Sequence, residues 1–201
     1  MAVPGVYRKS GEGSIASYTF TDIAEGTGVV KFYGAVTNAP AAAYMLAANP
    51  EYSSDIELDL QDAGTTTLNF DLAPFNLPKI LTGTAYFSCG LYCGSLNDSV
   101  KVMVQLKKVS ASTTDVSSEI TSETYTGVTP DFGMVLLPLP LTKTHFKKGD
   151  ILRLVVKFVK TGANATAYMG YDPIGRDGAQ ITAARGLTSQ LTINVPFDLD
   201  L

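Results

Sequence analysis

Hydrophobic residues recur at every second position over long stretches of this chain, and that spacing restricts its fold more than any other feature. From Ile151 to Lys160, Leu152, Leu154, Val156 and Phe158 share one face, with Arg153 and Lys157 opposite. From Ser99 to Lys107, Val100, Val102, Val104 and Leu106 alternate with Lys101, Met103, Gln105 and Lys107. From Ser189 to Asp198, Leu191, Ile193, Val195 and Phe197 alternate with Thr192 and Asn194. Leu68, Phe70 and Leu72 repeat the pattern, and in Asp55 to Leu60 the residues Ile56, Leu58 and Leu60 alternate with acids. Successive side chains of a strand point to opposite faces, so a period of two is strand geometry. An apolar face backed by a polar one predicts half-buried antiparallel strands.

Further strands are expected over 15–20, 29–36, 81–92, 119–127, 132–137 and 165–171. Roughly ten or more strands, about 10–18 residues apart, favour a sandwich or barrel. Ala39 to Ala48 alone has helix propensity. Pro40 and Pro50 bracket it, and Tyr44-Met45-Leu46 suits a short strand equally well. Turn chemistry lies at Ser95 to Asp98, Lys147 to Asp150 and Lys160 to Asn164. Ser110 to Ser118 reads as a mobile polar loop, and Asp172 to Arg185 as a long one. The expectation is an all-β chain: one antiparallel β-sandwich domain over 14–201, preceded by a flexible, extended N-terminal arm over 1–13.

A length of 201 residues fits one domain. Fifteen Lys and Arg against 19 Asp and Glu give a net charge of −4, which argues against nucleic acid as a partner. The longest apolar run, Gly133 to Leu141, is broken by Pro138 and Pro140. It falls short of the roughly 18 apolar residues of a transmembrane helix, so no membrane partner is expected. The opening MAVPGVYRKSGEGS lacks the apolar stretch of a secretory signal.

Cys89 and Cys93 are the only cysteines. Residues four apart on a strand lie about 13 Å apart, beyond the roughly 7 Å a disulfide tolerates. They read as reduced, packed thiols. Two thiols and one histidine do not supply the ligands of a structural zinc site, so neither metal nor cofactor is expected. His145, the only histidine, sits in a segment that reads as a loop leading into a strand. With no nucleophile patterned around it, the chain reads as a non-enzyme. Asp55, Glu57 and Asp59 read as a solvated strand face. A weak calcium site at Asp55, Asp59 or Asp71 would lack EF-hand spacing.

The arm offers a binding device of its own. Val3, Pro4, Val6 and Tyr7, followed by Arg8, are residues that can dock in extended conformation along another chain. These five are the candidate partner-binding residues.

Three stretches carry a resemblance: Ser14 to Gly34 (SIASYTFTDIAEGTGVVKFYG), Gly170 to Arg176 (GYDPIGR) and Gln190 to Leu201 (QLTINVPFDLDL). Together they resemble head decoration, or capsid cement, proteins of tailed phages, virion proteins with a jelly-roll-like β-sandwich. The resemblance implies a structural protein on the outer surface of a virion capsid. It would bind the major capsid protein, associate with itself as a homo-oligomer, a trimer in the first instance, and assemble in the host cytoplasm. The alternative is a carbohydrate-binding or host-recognition module of a virion, using the loops from Tyr168 to Arg185.

Overall fold

A computed structural model of the chain describes residues 28–37, 43–50, 53–126, 131–174, 176 and 189–199. The arm over 1–13, its residues Val3, Pro4, Val6, Tyr7 and Arg8, and the strand expected over 15–20 lie outside the described residues.

The described residues form thirteen strands and no helix. They are β1 (Gly28–Thr37), β2 (Ala43–Ala47), β3 (Glu57–Leu60), β4 (Gly64–Leu72), β5 (Lys79–Cys93), β6 (Ser99–Val109) and β7 (Thr113–Asp115). Then come β8 (Ile120–Thr121), β9 (Tyr125–Thr126), β10 (Asp131–Phe146), β11 (Ile151–Thr161), β12 (Ala167–Gly170) and β13 (Thr192–Leu199).

One layer runs β3-β12-β5-β13-β1, with β10 also paired to β5. The other runs β4-β11-β6, with β7, β8 and β9 each paired to β6. β2 joins the layers, antiparallel to β1 and parallel to β4. Every other pairing is antiparallel. The all-β, antiparallel sandwich expected from the periodicity is therefore present.

Its core forms because both layers turn their apolar parity inward. Leu152, Leu154, Val156 and Phe158 of β11 are fully buried, as are Val102, Val104 and Leu106 of β6. Opposite them lie Leu81, Phe87, Cys89 and Leu91 of β5 and Ile193 and Val195 of β13. Burying each large apolar side chain contributes about 1.5–3 kcal/mol. Cys89 and Cys93 are buried free thiols on this inner face. Arg153 and Lys157 point outward as the alternation requires, yet they are only partly exposed. Each lies against an acid, Arg153 on Asp71 and Lys157 on Glu119.

Several local expectations need correction. β10 does not stop near Leu137; it continues through Pro138 and Pro140 to Phe146. Proline is tolerated because β10 lies at the margin of its layer, where a strand nitrogen can face away from its partner. His145 thus lies in a strand, exposed and opposite Ile80, and not in a loop. Segment 110–118 is no open loop throughout: Val116 and Ser117 are buried. The amides of both bond the Leu106 carbonyl, and the Ser117 hydroxyl accepts from the Leu106 amide. The strand expected over 119–127 is two separate two-residue strands, β8 and β9. In the alanine-rich segment, Ala43 to Ala47 is a strand. Pairing with β1 and burial of Leu46 override alanine's intrinsic preference.

Two inward lysines finish the core. Lys160 continues the buried parity of β11 and meets Asp98. Lys108 continues that of β6 and meets Asp150.

Candidate interaction face

The two layers present opposite chemistry to the outside. The outer face of β4-β11-β6 carries Lys101, Lys107, Arg153 and Lys157. Lys107 pairs with Asp115 at 3.2 Å, and Arg153 forms a two-pronged contact with Asp71 at 2.6 and 2.7 Å. This is an ion-paired face suited to water.

The outer face of the β10-β5-β13 layer is different. On β10 the even-numbered residues point outward: Met134 is 41% exposed and Leu136 68%, with Pro138 and Pro140 beside them. Cross-strand pairing extends the row. Leu136 lies opposite Ser88, which lies opposite Thr192, which lies opposite Tyr33. Pro138 lies opposite Tyr86, itself 48% exposed, and Tyr86 opposite Asn194. Paired residues share a face, so these rows lie on one side of the sheet, with Thr192 itself buried between its neighbours. The Ser88 and Thr192 hydroxyls bond each other at 2.8 Å, which spends their polarity within the surface. Lys31, opposite Asn194, completes the second row, its ammonium 4.9 Å from the centre of the Tyr33 ring. Exposed large apolar side chains grouped on a sheet face, here with Lys31 as the charged member of one row, mark a surface that another molecule covers.

The margin of β10 is closed to strand addition. Pro138 and Pro140 lack amide hydrogens, and edge prolines are a recognised guard against stray pairing. At one end Leu141 bridges to Ser117. At the other the Tyr125 hydroxyl donates to the Met134 carbonyl at 3.3 Å. A partner must therefore meet this layer through side chains.

Residues singled out in the sequence are distributed elsewhere. Tyr171 is no surface platform for a sugar: it is 2% exposed. Its ring packs edge-on against Tyr44 and Phe70. Burial, with the Asp55 carboxylate beside it, pushes its phenol well above the ordinary range. Tyr168 is half-buried and leans on Tyr92, ring centres 5.7 Å apart. Asp55 and Asp59 sit near Tyr171, whereas Asp71 is held by Arg153 in the other layer, so the three carboxylates are not brought together. The Gly170–Arg176 stretch acts as a staple. The Arg176 guanidinium contacts the fully buried Asp172 carboxylate at 3.1 and 3.2 Å and also reaches the Ser53 carbonyl. A Cβ on Gly170 would come within 2.6 Å of the Ser189 carbonyl oxygen, so only glycine allows that approach.

The outer row of β10 was missed from sequence, although a signal for it exists. Gly133 to Leu141 is apolar at every position, and strands buried on both faces read as continuous apolar runs of this kind.

No known protein family matches this sequence. No curated protein sequence matches it either. Among solved structures, the chain resembles a CocE/NonD family hydrolase from Staphylococcus aureus with a TM-score of 0.53 at 13% identity. The alignment covers 85% of this chain and 37% of the hydrolase. An aminopeptidase from the marine sediment archaeon Thaumarchaeota archaeon aligns with a TM-score of 0.49 at 13% identity, over 85% of this chain and 37% of that one. The chain thus spans little more than a third of each enzyme, and the likeness to the hydrolase is one of fold.

Proposed function

We propose that this chain is a non-enzymatic structural protein of a phage virion, which decorates and stabilises the outer surface of the capsid. It binds the major capsid protein and associates with copies of itself. The observation that carries this reading is the contrast between the two outer faces: one charged and ion-paired, the other apolar and exposed around Met134, Leu136 and Tyr86, with Lys31 on its far strand. Permanent assembly proteins combine a solvated face with an apolar one that is buried on assembly. The resemblance of the three stretches to phage head decoration proteins points the same way. The arm residues Val3, Pro4, Val6, Tyr7 and Arg8 supply a second means of grasping a neighbour.

The test is reconstitution. Purified protein is mixed with expanded phage heads that lack it, and co-sedimentation and heat resistance of the heads are measured. Saturable binding that raises the temperature of head rupture supports the reading. Deleting residues 2–13 is expected to leave the sandwich folded and to weaken retention on heads. Absence of binding by the full chain would sink the proposal.

A further inference from the structure

We propose that the open edge of β1 over Val29 to Phe32 is a docking site for this chain's own residues Thr21 to Ala24, which pair with it antiparallel and place Ile23 in the cavity beside it.

The edge comes first. β13 pairs with Gly28 to Tyr33 on one side of β1, whereas on the other side β2 pairs only with Tyr33 to Thr37. Among the described residues no strand pairs with that second side of Gly28 to Phe32. The Gly34 amide donates to the Leu191 carbonyl on the β13 side at 3.0 Å, so the even-numbered residues of β1 bond toward β13. Val29 and Lys31 therefore direct their amides and carbonyls to the open side. Such an edge is a template for a further strand, and native proteins cover it. A cavity of about 170 Å³ adjoins it, lined chiefly by Val30, Phe32, Leu72, Phe75, Leu77 and Lys79. That is room for a benzene-sized apolar group. The Lys79 ammonium is engaged by the Phe75 and Phe197 rings, 5.6 and 5.2 Å from their centres.

Gly28 selects the occupant. Its φ is 97°, and a Cβ there would meet nothing within 4 Å, so the glycine serves a turn of the backbone and not a close contact. Hairpin loops use glycine at positions of positive φ. A chain that reverses into β1 lies along one side of it, and β13 already holds the other. The residues before Gly28 have the matching chemistry. A four-residue loop over Glu25 to Gly28 sets Ala24 opposite Val29, Ile23 opposite Val30, Asp22 opposite Lys31 and Thr21 opposite Phe32. Ile23 then shares the inward face of Val30, and the Asp22 carboxylate meets the Lys31 ammonium on the outer face. A three-residue loop over Gly26 to Gly28 would instead set Asp22 opposite the buried Phe32, desolvating its charge without a partner. The pairing stops at Thr21, because β2 takes the next place beside Tyr33. The chain before Thr21 thus leaves from the seam where β2 joins the two layers.

Two measurements on the full chain test this. Residue-resolved amide exchange is expected to show Val29 and Lys31 protected on the order of a hundredfold over free amides. The double variant Asp22→Cys with Lys31→Cys sets two Cα atoms about 5.5 Å apart, within disulfide range. Mild oxidation is expected to join them within one chain, as read by mass spectrometry after digestion, while Asp22→Cys with Lys101→Cys stays reduced. Val29 and Lys31 exchanging like free amides, the first double variant staying reduced, a disulfide joining two chains, or equal oxidation of the Lys101 variant each overturns the proposal. Neither measurement involves phage heads, so the outcome is separate from that of the decoration reading.

Discussion

The ammonium of Lys160 lies 3.3 Å from a carboxylate oxygen of Asp98, with both side chains fully excluded from solvent. The lysine also donates to the Gln61 and Gly162 carbonyls at 2.9 and 2.7 Å, so its three hydrogens have three acceptors. The Asp98 carboxylate accepts from the Asn164 side chain and from the amides of Asn164 and Ala165. The pair has a reciprocal partner. Asp98 immediately precedes β6 and Lys160 is the penultimate residue of β11, whereas Asp150 immediately precedes β11 and Lys108 is the penultimate residue of β6. Since β6 and β11 run antiparallel, the two ion pairs clamp opposite ends of one strand pair.

Removing one partner of a buried pair strands the other, which costs about 3–5 kcal/mol. Lys160→Met should lose stability of that order in urea denaturation. The double variant Lys160→Met with Asp98→Asn should lose less than the sum of the two singles. A single-variant loss below about 1 kcal/mol would mean that the pair behaves like one at the surface.

Acid should unfold the protein through these clamps. Burial alone would raise the Asp98 carboxyl, but the bonds from Asn164, Ala165 and Lys160 outweigh it and hold the group at about 2. Asp150 is likewise lowered, burial being outweighed by Lys108 and the Lys147 amide. A carboxyl depressed in the folded state contributes stability that is complete above its unfolded value of about 3.9 and is lost as pH falls through the folded one. The melting temperature should therefore fall between pH 4 and pH 2, and Asp98→Asn should flatten that fall. Equal slopes for variant and wild type would remove Asp98 from the explanation.

Two glycines separate backbone strain from collision. Gly149 and Gly162 both have positive φ, 91° and 83°. A Cβ at Gly149 would meet nothing within 4 Å, whereas one at Gly162 would sit 2.1 Å from an Asp98 carboxylate oxygen. Gly149→Ala should cost about 1–2 kcal/mol for the left-handed conformation alone. Gly162→Ala should cost clearly more, because it also breaks the clamp. Similar melting temperatures for the two would refute the collision.

Adjacent leucines on β10 should respond in opposite ways. Leu137 is 8% exposed and Leu136 68%. Leu137→Asp places a charge in the core and should abolish cooperative unfolding. Leu136→Asp should keep the native circular dichroism spectrum. The reverse result would mean that β10 is out of register by one residue.

The thiols should be silent until the sandwich opens. Cys89 and Cys93 are fully buried, and burial pushes the Cys89 thiol far above its ordinary range. Disulfide-exchange reagents should label neither in native buffer and both in denaturant. Rapid native labelling of either would contradict the packing of β5.

The inward and outward faces of β4, β6, β11 and β13 were legible in the sequence, because alternation along a strand is local and each residue's side follows from its neighbours. The same rule placed Leu152, Leu154, Val156 and Phe158 in the core and Arg153 and Lys157 outside. It could not say that Lys160, at an inward position, would be buried with Asp98, since that contact joins residues 62 positions apart. Nor could it carry β10 through Pro138 and Pro140, because tolerance of proline depends on which strands lie beside it. The buried Val116 and Ser117 looked like loop for the same reason: Leu106 and Gln105, which bond them, are distant in kind and not only in number. The face around Leu136 was likewise hidden in a run apolar at every position. Whether such a strand is covered on one side or two is decided only when the layers close, because burial is a property of what packs against a residue and not of the residue itself.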